Sequence, residues 1–266
     1  MKMPKFRLVD LSVPIKSPNP GEMSPEYAAS LAAEISYQDH KASVPAMTSI
    51  LGCKEEDLLE GLGWANEFLK LATHAGTHVD APYHYFPTCK GDSAITISEC
   101  PLEWYWGEAV VLDLRHKKDG EAVTSKDIKD ALNKIGHTLE YGDIVCLYFN
   151  ADKKFGTPDY WTHFPGMSAE ATTYILDQGV KVIGTDAIGF DIPFEDTKRI
   201  FAETGDRSIL WEAHRAGRDY CYSHIEKLAN LDQMPALGAY IACFPVSIYK
   251  ASAGWARCVG FIPTGK

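Results

Sequence analysis

Three short apolar runs, separated by segments of helical periodicity, constrain this chain most. Residues 108–114 (EAVVLDL), 143–149 (DIVCLYF) and 180–185 (VKVIGT) are rich in β-branched and apolar side chains, as strands buried on both faces are. Between the first two, residues 126–135 place Ile128, Ala131, Leu132 and Ile135 at helical spacing behind Ser125, a candidate cap. Between the second and third, Ser168 precedes a helical segment, 169–178, that Gly179 ends. Strands alternating with helices predict an α/β domain. An opening strand over 6–13, helices over 25–37 and 208–217, and closing strands over 240–249 and 255–262 complete the expectation. With no Gly/Ser-rich or Pro-rich linker and no repeat, one domain over residues 1–266 is the simplest organisation.

The bulk properties exclude more than they identify. A formal net charge of −10 argues against nucleic acid or an anionic membrane as the main partner. No apolar run reaches the roughly 18 residues of a membrane span. The basic start, residues 1–7, runs into Pro14, Pro18 and Pro20 without an apolar stretch, so no signal peptide is expected. Seven cysteines, an odd number without CxxC spacing, point to free thiols in a reducing cytoplasm rather than to disulfides or a thiolate zinc site. The glycines form neither a dinucleotide fingerprint nor a P-loop.

Chemistry concentrates in residues 73–86 (THAGTHVDAPYHYF), which hold three of the nine histidines. His74, His78, Asp80 and His84 share parity. On a helix Asp80 would lie about 240° from His74, and Gly76, Thr77, Val79 and Pro82 are poor helix formers there. An extended chain points residues of equal parity to one side, so His74, His78 and Asp80 converge. Gly76 between them is expected to leave room for an ion, and a turn at Pro82 to bring His84 close. Two imidazoles and a carboxylate suit Zn²⁺ or Mn²⁺ and leave positions open for water and substrate.

The string HAGTHVDAPYH resembles the HxGTHxDxPxH signature of the cyclase family of metal-dependent hydrolases, which includes kynurenine formamidases and isatin hydrolases. The likeness continues through FPGMS at 164–168, GVKVIGTD at 179–186, and Pro245 and Arg257. It implies a swivelling β/β/α architecture with a mixed sheet and flanking helices. It implies His74, His78 and Asp80 as metal ligands, His84 as proton donor and acceptor, and His214 with Glu226, twelve residues on, as completing a second metal site. His224 shares the parity of Glu226 and could take that role instead, and one or two ions remain open. It also implies a homodimer or homotetramer in which a neighbouring subunit lends part of the pocket.

Trp64, Phe86, Trp161 and His163 are candidates for the substrate wall. Asp186 and Asp191, after the third strand, read as caps or turn residues before functional ones, and Cys89 lacks a paired base. The resemblance implies a hydrolase that attacks a carbonyl with metal-activated water. Trp64 and Phe68 favour a flat ring. The long segment 17–70 places a cyclic amide or lactone first and an aryl formamide such as N-formylkynurenine second. A catalytically silent metal- or ligand-binding module is the rival of another class, and the retention of His84 speaks against it.

Overall fold

A computed structural model describes residues 5–265. The basic start read above therefore lies partly outside the described residues. The expected buried runs form the middle of a nine-stranded mixed sheet. Its strands are β1 (Phe6–Asp10), β2 (His78–Asp80), β3 (Trp106–Asp113), β4 (Asp143–Tyr148), β5 (Val182–Thr185), β6 (Ser223–Glu226), β7 (Ala239–Ala242), β8 (Ala253–Trp255) and β9 (Val259–Pro263). The spatial order is β1-β9-β7-β3-β4-β5-β6-β2-β8. β3, β4, β5 and β6 run parallel, and every other pairing is antiparallel. The parallel strands are the ones with near-continuous apolar sequence, because both of their faces are covered.

Each face carries its own core. Val110, Leu112, Val145, Leu147 and Ile183 point to one side, where they meet Ile128 and Leu132 of one helix and Ile175 of another. Ala109, Val111, Ile144, Cys146 and Val182 point to the other, against Val9, Leu11, Ile241 and Leu228.

The helices are α1 (Pro25–Leu31), α2 (Val44–Leu51), α3 (Pro82–Tyr85), α4 (Ser125–Ile135), α5 (Asp159–Thr162), α6 (Ala169–Asp177) and α7 (Phe194–Thr204). α4 begins one residue before the expected boundary. Thr124 caps it, accepting from the Asp127 amide while the Asp127 carboxylate accepts from the Thr124 amide. Ser168 caps α6 as expected.

Two expected helices differ. The first ends at Leu31, and the chain then extends as Glu34–Gln38, which pairs with Asn66–Lys70 to make a hairpin arm outside the main sheet. Residues 208–217 form only short 3₁₀ turns, Arg207–Ile209 and His214–Arg218. The regular helix lies just before them, in α7. The closing strands are also shorter than expected, and the last splits into β8 and β9. Among the described residues no helix is long and apolar enough to cross a membrane.

Candidate metal centre

Strand alternation builds the centre. β6 and β2 are antiparallel neighbours, with His224 opposite Asp80 and Glu226 opposite His78. Val79 and Ile225 between them turn to the far face, fully buried in its core. The four polar side chains therefore stand together on the helix-covered face. All are buried, and Asp80, His78 and His224 are wholly inaccessible.

His74 arrives by a different route from the one the sequence suggests. It lies in a turn before β2, where Gly76 has φ +62°. A Cβ on Gly76 would stand 2.7 Å from Ile15 Cγ1. The glycine is thus required by the turn and by packing against Ile15, not by space for an ion. α3, opened by Pro82, swings His84 back over the centre, and the His84 amide donates to the Ala81 carbonyl.

Outer hydrogen bonds aim the rings inward. His78 Nδ1 donates to the Gly76 carbonyl at 2.9 Å, which turns Nε2 to the centre. His74 Nε2 pairs with Ser252 Oγ at 3.1 Å, which turns Nδ1 there. His214 Nδ1 donates to the Asp191 carboxylate, which leaves Nε2 facing Glu226 Oε1 at 3.7 Å. A carboxylate behind an imidazole fixes its tautomer and raises its basicity as a ligand. Asp191 also accepts from the Ala213 amide. Its role is thus to hold His214, which the turn reading of the sequence missed. Lys227, buried with φ +63°, donates from Nζ to the His74 carbonyl at 2.7 Å.

Asp80 sits at the middle. Its Oδ1 lies 2.9 Å from His74 Nδ1 and 3.2 Å from His78 Nε2, and its Oδ2 lies 2.7 Å from His224 Nε2. Oδ1 is nevertheless buried without a hydrogen bond of acceptable angle. An oxygen this close to two ring nitrogens, yet not aligned with a donor, fits lone pairs converging on a shared cation. Two ligand groups result, His74–His78–Asp80 and Asp80–His214–His224–Glu226, with atoms inside each within 4.8 Å of one another. Both His224 and Glu226 fall within the second group. These donors fit a divalent metal.

Charge follows the same pattern. Burial would raise the Asp80 carboxyl, but His84, His78, His74 and His224 hold it well below the usual range. Burial opposes the charge on Glu226 too, yet its bond to His224 brings it down to about 2. His84 goes the other way: burial, aided by His74 and His214 and opposed by Asp80, lowers it to about 4. Its Nε2 stands 3.7 Å from Asp80 Oδ2, and its ring is neutral at pH 7.

His74, His84, His214 and Glu226 form the floor of a cavity of about 910 Å³, whose walls include Tyr27, Trp161, Phe190, Phe194 and Trp211; Asp80, His78 and His224 lie sealed beneath it. Of the expected wall residues only Trp161 is there. Trp64 is exposed just before the second strand of the hairpin arm, Phe86 is exposed beyond α3, and His163 is exposed with its ring on Thr162. Within one chain these three do not line the cavity. The sequence reading did not single out Trp211, Phe190 or Tyr27. Asp186 lies elsewhere, accepting from the Phe149 and Asn150 amides. All seven cysteines are free, and burial raises the Cys89 thiol to about 12, unlike a nucleophile.

The model of the family described as "Putative cyclase" matches residues 9–192. The chain belongs to this family. It is 25% identical over 214 residues to the isatin hydrolase of Roseibium aggregatum, covering 77% of each chain. It is 29% identical over 191 residues to the kynurenine formamidase of Erythrobacter litoralis, covering 72% of this chain and 74% of that one. Among solved structures, an isatin hydrolase bound to the product analogue thioisatinate superposes with a TM-score of 0.74 at 22% identity, covering 97% of this chain and 93% of that one. That likeness carries the fold.

Proposed function

We propose that this chain is a metal-dependent hydrolase of a cyclic amide or lactone, acting at the Asp80-centred cluster. The observation that carries the reading is the clustering of His74, His78, Asp80, His214, His224 and Glu226, of which His74, His214 and Glu226 reach the floor of an aromatic-walled cavity, with His84 beside them and outside both ligand groups. A Zn²⁺ or Mn²⁺ ion, or a pair sharing Asp80, would be held by these residues and would supply a Lewis acid and a water acidified towards neutrality. His84, neutral and cavity-facing, accepts a proton during attack on the carbonyl and returns it to the leaving nitrogen or oxygen. Trp161 and Phe190 stack against a flat ring and exclude water from it.

Formamide hydrolysis is the second reading, favoured by the 29% identity to a kynurenine formamidase. Isatin, N-formylkynurenine and a lactone panel, assayed before and after chelation and metal return, separate the readings. Chelator-sensitive turnover of a ring substrate supports the first, and of the formamide alone the second. A metal-loaded protein inert towards all of them would favour a silent binding module.

We also infer a homodimer or homotetramer in the cytoplasm. The arm, α2 and the segment that joins them expose Tyr37, Ile50, Leu59, Trp64, Phe68 and Leu69, and exposed apolar side chains grouped on one segment suit an interface. A second copy covering it would let Trp64 approach a neighbour's cavity. The free cysteines suit a reducing compartment.

A further inference from the structure

His84 has an unusual problem for a proton-transfer group. Among the described residues its ring makes no side-chain hydrogen bond, because Asp80 Oδ2 is 3.7 Å away. Its plane is therefore held by packing alone. Four rings surround it: His74 at 4.2 Å between centroids, Trp211 at 5.2 Å, His214 at 5.6 Å and Tyr85 at 5.9 Å. His74 and His214 belong to the ligand groups, and the Tyr85 hydroxyl is engaged with the His224 amide. Trp211 is the one of the four that neither belongs to a ligand group nor makes a side-chain hydrogen bond among the described residues. It meets His84 edge-on at 84° and stacks on His214 at 4.5 Å and 19°.

Its backbone is equally unusual. Trp211 has φ +60°, a conformation that a bulky side chain adopts at a cost. The surroundings impose it: the Trp211 carbonyl accepts from the Arg215 amide, the Arg215 guanidinium donates to the Ser208 carbonyl, and Asp191 holds the Ala213 amide. The chain is bent so that this indole reaches the two histidines and the cavity wall together.

We propose that Trp211 is a positioning residue that fixes the ring plane of His84, and so governs proton delivery to the leaving group. This rests on the hydrolase reading above. Trp211→Gly tests it without disturbing the backbone, since glycine takes φ +60° freely, and Trp211→Phe restores a ring. In zinc-loaded protein with isotope-labelled histidine, Trp211→Gly should displace the His84 ring resonances and move those of His214 downfield, and Trp211→Phe should largely restore both. On isatin, a lactam that needs its leaving nitrogen protonated, kcat for Trp211→Gly should fall about 10–100-fold with KM within about threefold, as misorientation of a reacting group does. On a nitrophenyl ester, whose leaving group needs no proton although its attack step still uses His84, the loss in kcat should be at least about fivefold smaller than on isatin. Unmoved His84 resonances would overturn the proposal. So would equal losses on both substrates, or a rise in KM at unchanged kcat, which would make Trp211 a wall and nothing more. If the wild-type protein hydrolyses neither compound, the hydrolase reading fails, while the resonances still decide whether Trp211 orders His84.

Discussion

Replacing Gly76 by alanine separates two explanations of the glycine in the middle of the cluster. If it clears space for an ion, Gly76→Ala should lose metal and leave the metal-free fold unchanged. The structure assigns it to the turn. Residue 76 has φ +62°, and the left-handed region costs an L-residue about 1–2 kcal/mol. The new methyl would stand 2.7 Å from Ile15 Cγ1, and such overpacking adds about 1–3 kcal/mol. The expected destabilisation is therefore about 2–5 kcal/mol, or roughly 4–20 °C in Tm for a chain of this size. Thermal unfolding in excess chelator measures it without contribution from bound metal. Pairing it with Ile15→Ala should recover the steric part and leave the backbone part, so the double variant should be more stable than the sum of the two single changes. A Gly76→Ala protein with wild-type Tm under chelation would refute the reasoning.

Three further outcomes follow from the same geometry. His84→Ala should keep its metal and lose about 10²–10⁴-fold in kcat, because an acid–base group and no ligand is removed; metal analysis beside steady-state kinetics checks both halves. Asp191→Asn should weaken metal binding about 10–100-fold, since the carboxylate behind His214 Nδ1 is what orients it, and competition with a chromogenic chelator reads the change. Burial lifts the Asp186 carboxyl to about 8, against near 4 when unfolded, so the folded state holds a proton that the unfolded state has released. Its contribution to stability is full below about pH 4 and lost as pH rises through about 8. Asp186→Asn cannot titrate, so its Tm relative to wild type should improve steadily from pH 5 to 8, and a constant offset would contradict the shift.

Much of this molecule was legible in its sequence, and the exceptions have physical causes. β3, β4, α4 and α6 were readable because both-face burial and cap chemistry are local signals. His78 and Asp80 were placed together by strand parity, and the same parity on β6 aligns His224 with Glu226. That both of those residues belong to the centre depends on β6 pairing with β2, a contact across more than 140 residues that no local pattern announces. α7 escaped because none of its residues is buried, so it has no apolar face fixed on the core. The expected helix over 208–217 has the right composition but is broken by Trp211, whose conformation is set by Asp191 and Arg215 from outside the local pattern. The aromatic wall was misjudged for a related reason: Trp64 and Phe86 lie near the histidine motif in sequence, whereas Phe190 and Trp211 reach the cavity through the fold.

Metal content of the wild-type protein and of Asp80→Ala, both purified from zinc- and manganese-supplemented medium, tests the central claim most directly. Asp80 is common to both ligand groups, so the wild type should carry one or two divalent ions per chain and the variant essentially none, while remaining folded by circular dichroism. A wild-type protein without stoichiometric metal, or an Asp80→Ala protein that keeps the wild-type amount, would contradict the account.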